Sequence, residues 1–393
     1  MSARGRRTVL AVAVLVLLGL VALAVPALRG IGNDPDGTGT AAAHDDASAP
    51  TAERCDVDGD HPGPLLDLGV NTDTGDAADP SLSTAEVRRL VGVAARAGAD
   101  VVSTTVSWRT VQPRRGATPD WTGLDRVLDA AEARDLQVRV RLIHTPAWAL
   151  DAASRRATDG SMWTPPRTDA ELDRWKAFVE DVLTHLDGRA AYVETWSEPD
   201  NADRWATGPN AAAFGALLRA TAAARDAVGD STTMLVSGGL DGNDIGFAQE
   251  LVDYLGGTSL LPFDLVGVDP YTDLDPAAAP GEPGDDGRLD AFAGYQQVAD
   301  VTGTGVYVSE VGWSTDDVSR ATRATYATTV LEVATCTTDV EALSWYHLHV
   351  TPYDPAAYAL LTADGRIGPT YAALRAWTET RAAVGATSRD GSS

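Results

Sequence analysis

From Pro64 onward the chain alternates short apolar runs with longer amphipathic stretches. LLDLGVN precedes TAEVRRLVGVAARAG, VVSTTVSW precedes LDRVLDAAEARD, VRVRLIH precedes a loop and ELDRWKAFVEDVLTHL, and AYVETW precedes AAAFGALLRATAAARDAV. The second half repeats the cadence with MLVSGGL and GFAQELVDYLGG, DLVGVDPY and LDAFAGYQQVADVT, VYVSE and ATRATYATTVLEVAT, then ALSWYHL and TYAALRAWTETRAAV. The apolar runs have the length of strands and the amphipathic ones the length and period of helices. Strands separated by helices imply a parallel sheet, and eight such units in about 320 residues suit a single closed (β/α)8 TIM barrel. The competing doubly wound sheet would carry a glycine-rich phosphate loop after its first strand, and none is present there.

Ahead of this body the pattern changes. Arg4, Arg6 and Arg7 precede an uncharged apolar run from Val9 to Leu28. That is an export signal; about 20 residues rising 1.5 Å each could also span roughly 30 Å of hydrocarbon, so residues 1–29 read as a signal peptide or an N-terminal membrane anchor. Either way the arginines place the body outside, secreted or tethered to the outer face of the membrane by the N-terminal helix. Residues 30–60 are poor in large apolar groups and read as a flexible acidic linker. Within them DVDGD spaces Asp56, Asp58 and Asp60 like the start of a calcium loop, but His61 stands where the sharp-turn glycine belongs, so an acidic turn is expected. The barrel is assigned to residues 61–380 and a disordered tail to 381–393.

Lys+Arg total 31 against 56 Asp+Glu, a formal net charge of −25. Such an exterior argues against nucleic acid or an anionic membrane surface as partner, and contact with a membrane is expected only through the N-terminal segment. A monomer is expected. Lys176 is the only lysine, and we attach no mechanism to that.

In a barrel, chemistry gathers where strands end and loops begin, because those loops converge on one face. YVETWSEPDN (residues 192–201) ends the fourth strand and GVYVSEVGWST (residues 305–315) the seventh. Strand alternation puts Glu194, Trp196 and Glu198 on one face, with Glu194 a paired carboxylate in the barrel wall and Glu198 at the mouth. Glu310 ends the seventh strand at an equivalent place. Two carboxylates brought together cannot both ionise cheaply, so one is held protonated, a general acid beside a nucleophile, which is the division of labour in glycoside hydrolysis.

On these motifs the chain, over roughly residues 65–378, resembles the retaining glycoside hydrolases of clan A, in particular the family 39 and family 5 type barrels. Trp196, Glu198 and Pro199 look like the fourth-strand acid/base signature, and SEVGW (residues 309–313) like the seventh-strand nucleophile signature. WRTVQP, DWTGLDRVLDAAEARDLQV and TPAWA, between residues 108 and 149, are similar to the second and third units of such enzymes. The resemblance implies Glu198 as acid/base, Glu310 as nucleophile, retention of configuration and no cofactor, with carboxyl groups about 5–5.5 Å apart. The chain departs from the family pattern at three points. Ser197 replaces the asparagine that holds the sugar 2-hydroxyl, Ser103 stands where a second-strand arginine holds the nucleophile ionised, and Asp269 replaces a histidine before Pro270 and Tyr271. Losing the first two predicts weaker transition-state contacts.

The likeness points to Tyr271 as the residue orienting Glu310. Trp345 is read as the floor beneath a pyranose or as a core tryptophan, and His144 as a substrate contact or a satisfied buried histidine. Trp148, Trp163, Trp205 and Trp313 fall on or near mouth loops, as a row of exposed aromatics for consecutive sugars would. His347 and His349 share a face by alternation, but no third ligand is visible nearby, so no metal is expected. The acidic loop 273–287 reads as a lid or a solvated insertion. Cys55 precedes the first strand and Cys336 the last, so both should lie at the bottom of the barrel, where an oxidising compartment would let them clasp the chain ends.

The reading is an exported retaining glycoside hydrolase acting on a β-linked polysaccharide or oligosaccharide. Its alternatives are a weakened barrel that binds or senses a cell-envelope polysaccharide, and a wall-remodelling transglycosylase.

Overall fold

The structure is a computed structural model that describes residues 63–69, 82–284, 286–337, 339–350 and 357–390. Residues 1–60, expected as an export segment and a linker with an acidic DVDGD turn, and Cys55 among them, lie outside the described residues. Among the described residues no helix is long and apolar enough to cross a membrane.

Eight parallel strands close into a barrel. They are β1 (Leu65–Leu68), β2 (Val101–Ser107), β3 (Gln137–Ile143), β4 (Tyr192–Thr195), β5 (Met234–Val236, resuming at Leu240–Asp241), β6 (Leu265–Asp269), β7 (Gly305–Val311) and β8 (Val340–Trp345). Each pairs with the next, and β1 pairs with β8 in register Leu65↔Ala342 through Leu68↔Trp345, which closes the ring. One longer helix follows each strand: α1 (Thr84–Arg96), α2 (Thr122–Glu132), α3 (Asp169–Leu186), α4 (Ala211–Val228), α5 (Ile245–Leu255), α6 (Tyr295–Thr302), α7 (Arg320–Thr335) and α8 (Pro369–Asp390), with short helical turns at Trp108–Val111 and Ala152–Ala157. All eight expected units are present. The last helix continues to Asp390, ten residues past the expected boundary at 380.

Apolar residues form two separate cores. The larger lies between strands and helices and includes Trp108, Trp175, Phe178, Trp196, Trp205 and Phe214. The smaller, Val101, Tyr192, Val236, Leu265, Tyr307 and Ala342, plugs the lower end of the barrel interior. Above that plug the interior is charged, which is what positions the site.

Helix α3 begins with a capping box: Thr168 Oγ1 accepts from Glu171 N at 3.3 Å, and the Glu171 carboxylate accepts from Thr168 N at 3.1 Å. Glu171 is buried and also accepts from Asp151 N at 2.7 Å and Arg167 N at 2.9 Å, so one side chain pins the loop after β3 to the helix that follows it.

Candidate active site

The charged interior is a column of alternating sign running up the barrel axis. At its base Asp67 Oδ2 accepts from Ser103 Oγ, from Tyr307 Oη at 2.8 Å and from Ser344 Oγ at 2.5 Å, with Arg139 Nε at 3.4 Å. Arg139 Nη1 donates to Glu194 Oε2 at 2.8 Å, Arg141 Nε donates to Glu194 Oε1 at 3.1 Å, and Arg141 Nη1 pairs with Glu310 Oε1. Three carboxylates and two guanidinia thus interleave, each buried charge facing its opposite, the condition under which burial of ions is tolerated. Period-2 alternation along β3 sends both arginines inward.

Glu310 heads this column. Its other oxygen, Oε2, accepts from Tyr271 Oη at 2.8 Å. Burial would raise its pKa, but the charge and hydrogen bond of Arg141 and the hydroxyl of Tyr271 outweigh that and hold it below the ordinary value. Glu198 faces it from the end of β4. Burial pushes its carboxyl up to about 7, and the charge of Glu310 adds to the shift. Glu198 Oε2 accepts from Asn201 Nδ2 at 3.0 Å, and Asn201 also donates to Asp241 Oδ2 at 3.1 Å. Arg288 Nη1 grips that same Asp241 oxygen at 2.7 Å. The base of the exposed acidic loop 273–287 is therefore tied to Glu198 through two side chains.

Glu198 and Glu310 side chains are 12% and 14% exposed, so both open to the mouth. One oxygen each from Glu198, Asp269 and Glu310 lies within 4.8 Å of the others. The balancing cation is Arg141.

The chain bends sharply where β3 and β4 deliver these groups. His144, Trp196 and Glu198 all take left-handed backbone, φ 63°, 75° and 43°, rare for residues with a Cβ and concentrated at sites where geometry serves function. The turn at Trp196 breaks the expected alternation. Glu194 points into the barrel, whereas Trp196 packs against Trp175 and Trp205 in the outer core, with centroids 6.1 and 5.6 Å away.

Several sequence expectations need correction. Ser103 does not leave Glu310 without an arginine, because Arg141, one strand over on β3, pairs with it, and Ser103 instead donates to Asp67 and accepts from Arg139 Nε at 3.2 Å. The tryptophans do not make an exposed row. Trp205 is fully buried; Trp313 and Trp345 are 3% and 1% exposed and pack on each other with centroids 6.1 Å apart. Trp313 also packs on Tyr326 of α7, 5.1 Å between centroids. Trp345 does border a cavity of about 50 Å3 beside Glu310, also lined by Ser103, Thr105, Arg141 and His349. Trp148 and Trp163 keep partial exposure at the mouth. Trp148 Nε1 donates to Gln112 O at 2.8 Å, and Trp163 sits between the Arg204 guanidinium, 4.9 Å from its ring, and His144, 4.3 Å between centroids.

His144 is buried with Nδ1 3.1 Å from Ser107 Oγ; burial, then the charges of Arg204 and Arg109, lower its pKa to about 3, so its ring is neutral. Ser197 is buried between Trp196 and Glu198. The Nδ1 of His347 is 2.8 Å from the carbonyl of His349. Cys336 caps the C-terminus of α7. Sequence reasoning missed Arg139 and Arg141, which it took as part of an apolar strand. Their signal was present: two arginines at alternate positions of a strand enclosed on both faces cannot be solvated and must meet buried acids.

No family model matches the sequence, and no curated protein does. Solved structures do match in fold. One is a family 39 glycoside hydrolase from the gut symbiont Bacteroides cellulosilyticus WH2, with TM-score 0.62 and 17% identity over 81% of this chain and 64% of that one. Another is a monomeric beta-xylosidase from Caulobacter crescentus CB15, with TM-score 0.56 and 18% identity over 80% of this chain and 68% of that one. A third is GH5_18 from Streptomyces cattleya in complex with GlcNAc, with TM-score 0.58 and 16% identity over 82% and 81% of the two chains. The chain spans less than two thirds of the first of these. The closed barrel is the one used by glycoside hydrolases of families 39 and 5, the fold its strand-end motifs resemble.

Proposed function

We propose that this protein is an exported, retaining glycoside hydrolase that cleaves a β-linked glycan by double displacement, acts as a monomer and needs no cofactor. The observation that carries the proposal is the division between two facing carboxyls: Glu310 is held ionised by Arg141 and Tyr271, while Glu198 is held protonated to about pH 7. Glu310 attacks the anomeric carbon as Glu198 protonates the departing oxygen. Water, deprotonated by Glu198, then releases the sugar from Glu310. Carboxyl oxygens within 4.8 Å of each other suit the spacing of about 5–5.5 Å in retaining enzymes better than the roughly 6.5–9.5 Å of inverting ones, which supports retention. The fold neighbours include a beta-xylosidase, an exo-beta-1,4-mannosidase and a complex with Manb1-4GlcNAc, which supports a β-linked glycan as substrate class.

Export rests on the charged and apolar N-terminus; a mature protein starting near Val25 would exclude a retained anchor. The proposed Cys55–Cys336 clasp rests on position. A Cβ at Gly63 would meet Thr335 Oγ1 at 3.0 Å, so the chain entering β1 runs against the residue next to Cys336.

The test is trapping with a panel of 2-deoxy-2-fluoro glycosyl fluorides, followed by peptide mapping. A label on the Glu310 peptide, absent in Glu310→Gln, is expected. Oligosaccharide binding without label from any sugar would replace the hydrolase by a non-catalytic glycan-binding barrel.

A further inference from the structure

Asp269 ends β6 directly beneath the two facing glutamates and is fully buried. Neither of its carboxyl oxygens has a hydrogen-bond partner, although one lies within 4.8 Å of oxygens from both Glu198 and Glu310. The fold makes deliberate room for it. β5 interrupts its pairing at Gly238 and Gly239, and a Cβ at Gly239 would overlap the Asp269 carboxyl. The same Gly239 accepts from Glu198 N at 3.0 Å, so the wall that accommodates Asp269 also positions the acid.

The groups facing Asp269 are Glu310 on β7, Glu194 and Glu198 on and after β4, Arg141 on β3 and Tyr271 just beyond β6, with Asp241 beside it in register. Arg141 spends Nε on Glu194 and Nη1 on Glu310. The remaining nitrogen of Arg141, Nη2, is buried and hydrogen-bonds neither Asp269 oxygen; a third anion here would go without a hydrogen bond, and a buried carboxylate without donors is the costly form.

We propose that Asp269 works as the un-ionised acid, a positioning residue whose single O–H turns toward whichever neighbouring glutamate carries the charge. In the free enzyme that neighbour is Glu310. Once Glu310 becomes the neutral glycosyl ester and Glu198 has passed its proton to the leaving oxygen, the charge sits on Glu198, and the Asp269 proton turns there. No proton leaves Asp269 and the cluster keeps one negative charge throughout. From 4.8 Å, a shift of about 2 Å in side-chain position brings either oxygen into the range of a charge-assisted O–H···O⁻ bond. Burial and the charge of Glu310 favour the protonated form, against Arg141.

This proposal rests on the glycosidase reading, but its first test needs no substrate. Infrared difference spectra at pH 7 compare Glu198→Gln with the Glu198→Gln/Asp269→Asn double variant. A carboxylic-acid carbonyl band lost with Asp269 is expected, and its absence would overturn the proposal whatever the enzyme cleaves. Kinetics supply the second arm. Asp269→Asn, neutral and still a donor, should keep kcat/KM within about tenfold with both limbs of the pH profile in place, whereas Asp269→Leu should lose about 100-fold. A limb that moves by a pH unit or more in Asp269→Asn would mean that Asp269 was charged; full activity in Asp269→Leu would mean that it positions nothing. Should the leucine variant not fold, the pH profile of Asp269→Asn decides alone.

Discussion

The two glutamates at the mouth have the same side chain and opposite protonation because their partners differ. Glu310 has a guanidinium and a phenol directed at it; Glu198 has an amide, a half-exposed Arg204 at 3.6 Å and another carboxylate. The proposed bond cleavage needs Glu310 ionised and Glu198 protonated, so kcat/KM should fall as pH rises through about 7, and its acid limb should lie below the ordinary carboxylate range. Glu198→Gln should abolish the upper limb and lower kcat about 10²–10⁴-fold on substrates with poor leaving groups, with less loss on activated ones; a profile that kept its limb near 7 would move the acid role elsewhere. Arg141→Met should raise the Glu310 pKa and shift the acid limb upward, because the opposing charge is gone and burial remains. It should also cost about 3–5 kcal/mol in urea unfolding, since Glu194 and Glu310 both lose a buried partner. Both glutamates were legible in the sequence from their motifs. The arginine was not, because which strand supplies the cation depends on side chains meeting across the barrel.

Among the elements, the third βα unit supplies the cations of the site and part of its rim. β3 contributes both arginines, its loop contributes Trp148 and Trp163, and Glu171 fastens that loop to α3. Thr168→Ala should lower stability by about 1 kcal/mol, the usual worth of an N-cap. Glu171→Ala should cost about 2–3 kcal/mol because three backbone N–H groups around the loop lose their acceptor. Thermal melts of the two variants check the ranking, and equal losses would mean that the loop is held by something else. Strand and helix identities followed from apolar period alone, since each unit buries a predictable face. The direction of Trp196 did not, because one left-handed residue reversed the alternation on which that reading depended.

For the whole molecule, closure of the ring through β1 and β8 brings the first and last strands together. If Cys55 and Cys336 are joined below them, intact mass should be unchanged by thiol labelling without reductant and should rise by two labels with it. Reduction should then lower stability by about 2–4 kcal/mol. Two free thiols before reduction would end the idea. The sequence by itself determined the eight-unit barrel, the charge of the exterior and the pair of strand-end glutamates, because all three are written in local period, composition and motif. Only the tertiary structure decided what surrounds those glutamates. The arginine column, the burial of Trp205, Trp313 and Trp345, and the unpartnered Asp269 beneath the mouth arise from residues on different strands meeting inside a closed ring. No window of sequence contains such a meeting, because the distance that matters runs across the barrel and not along the chain.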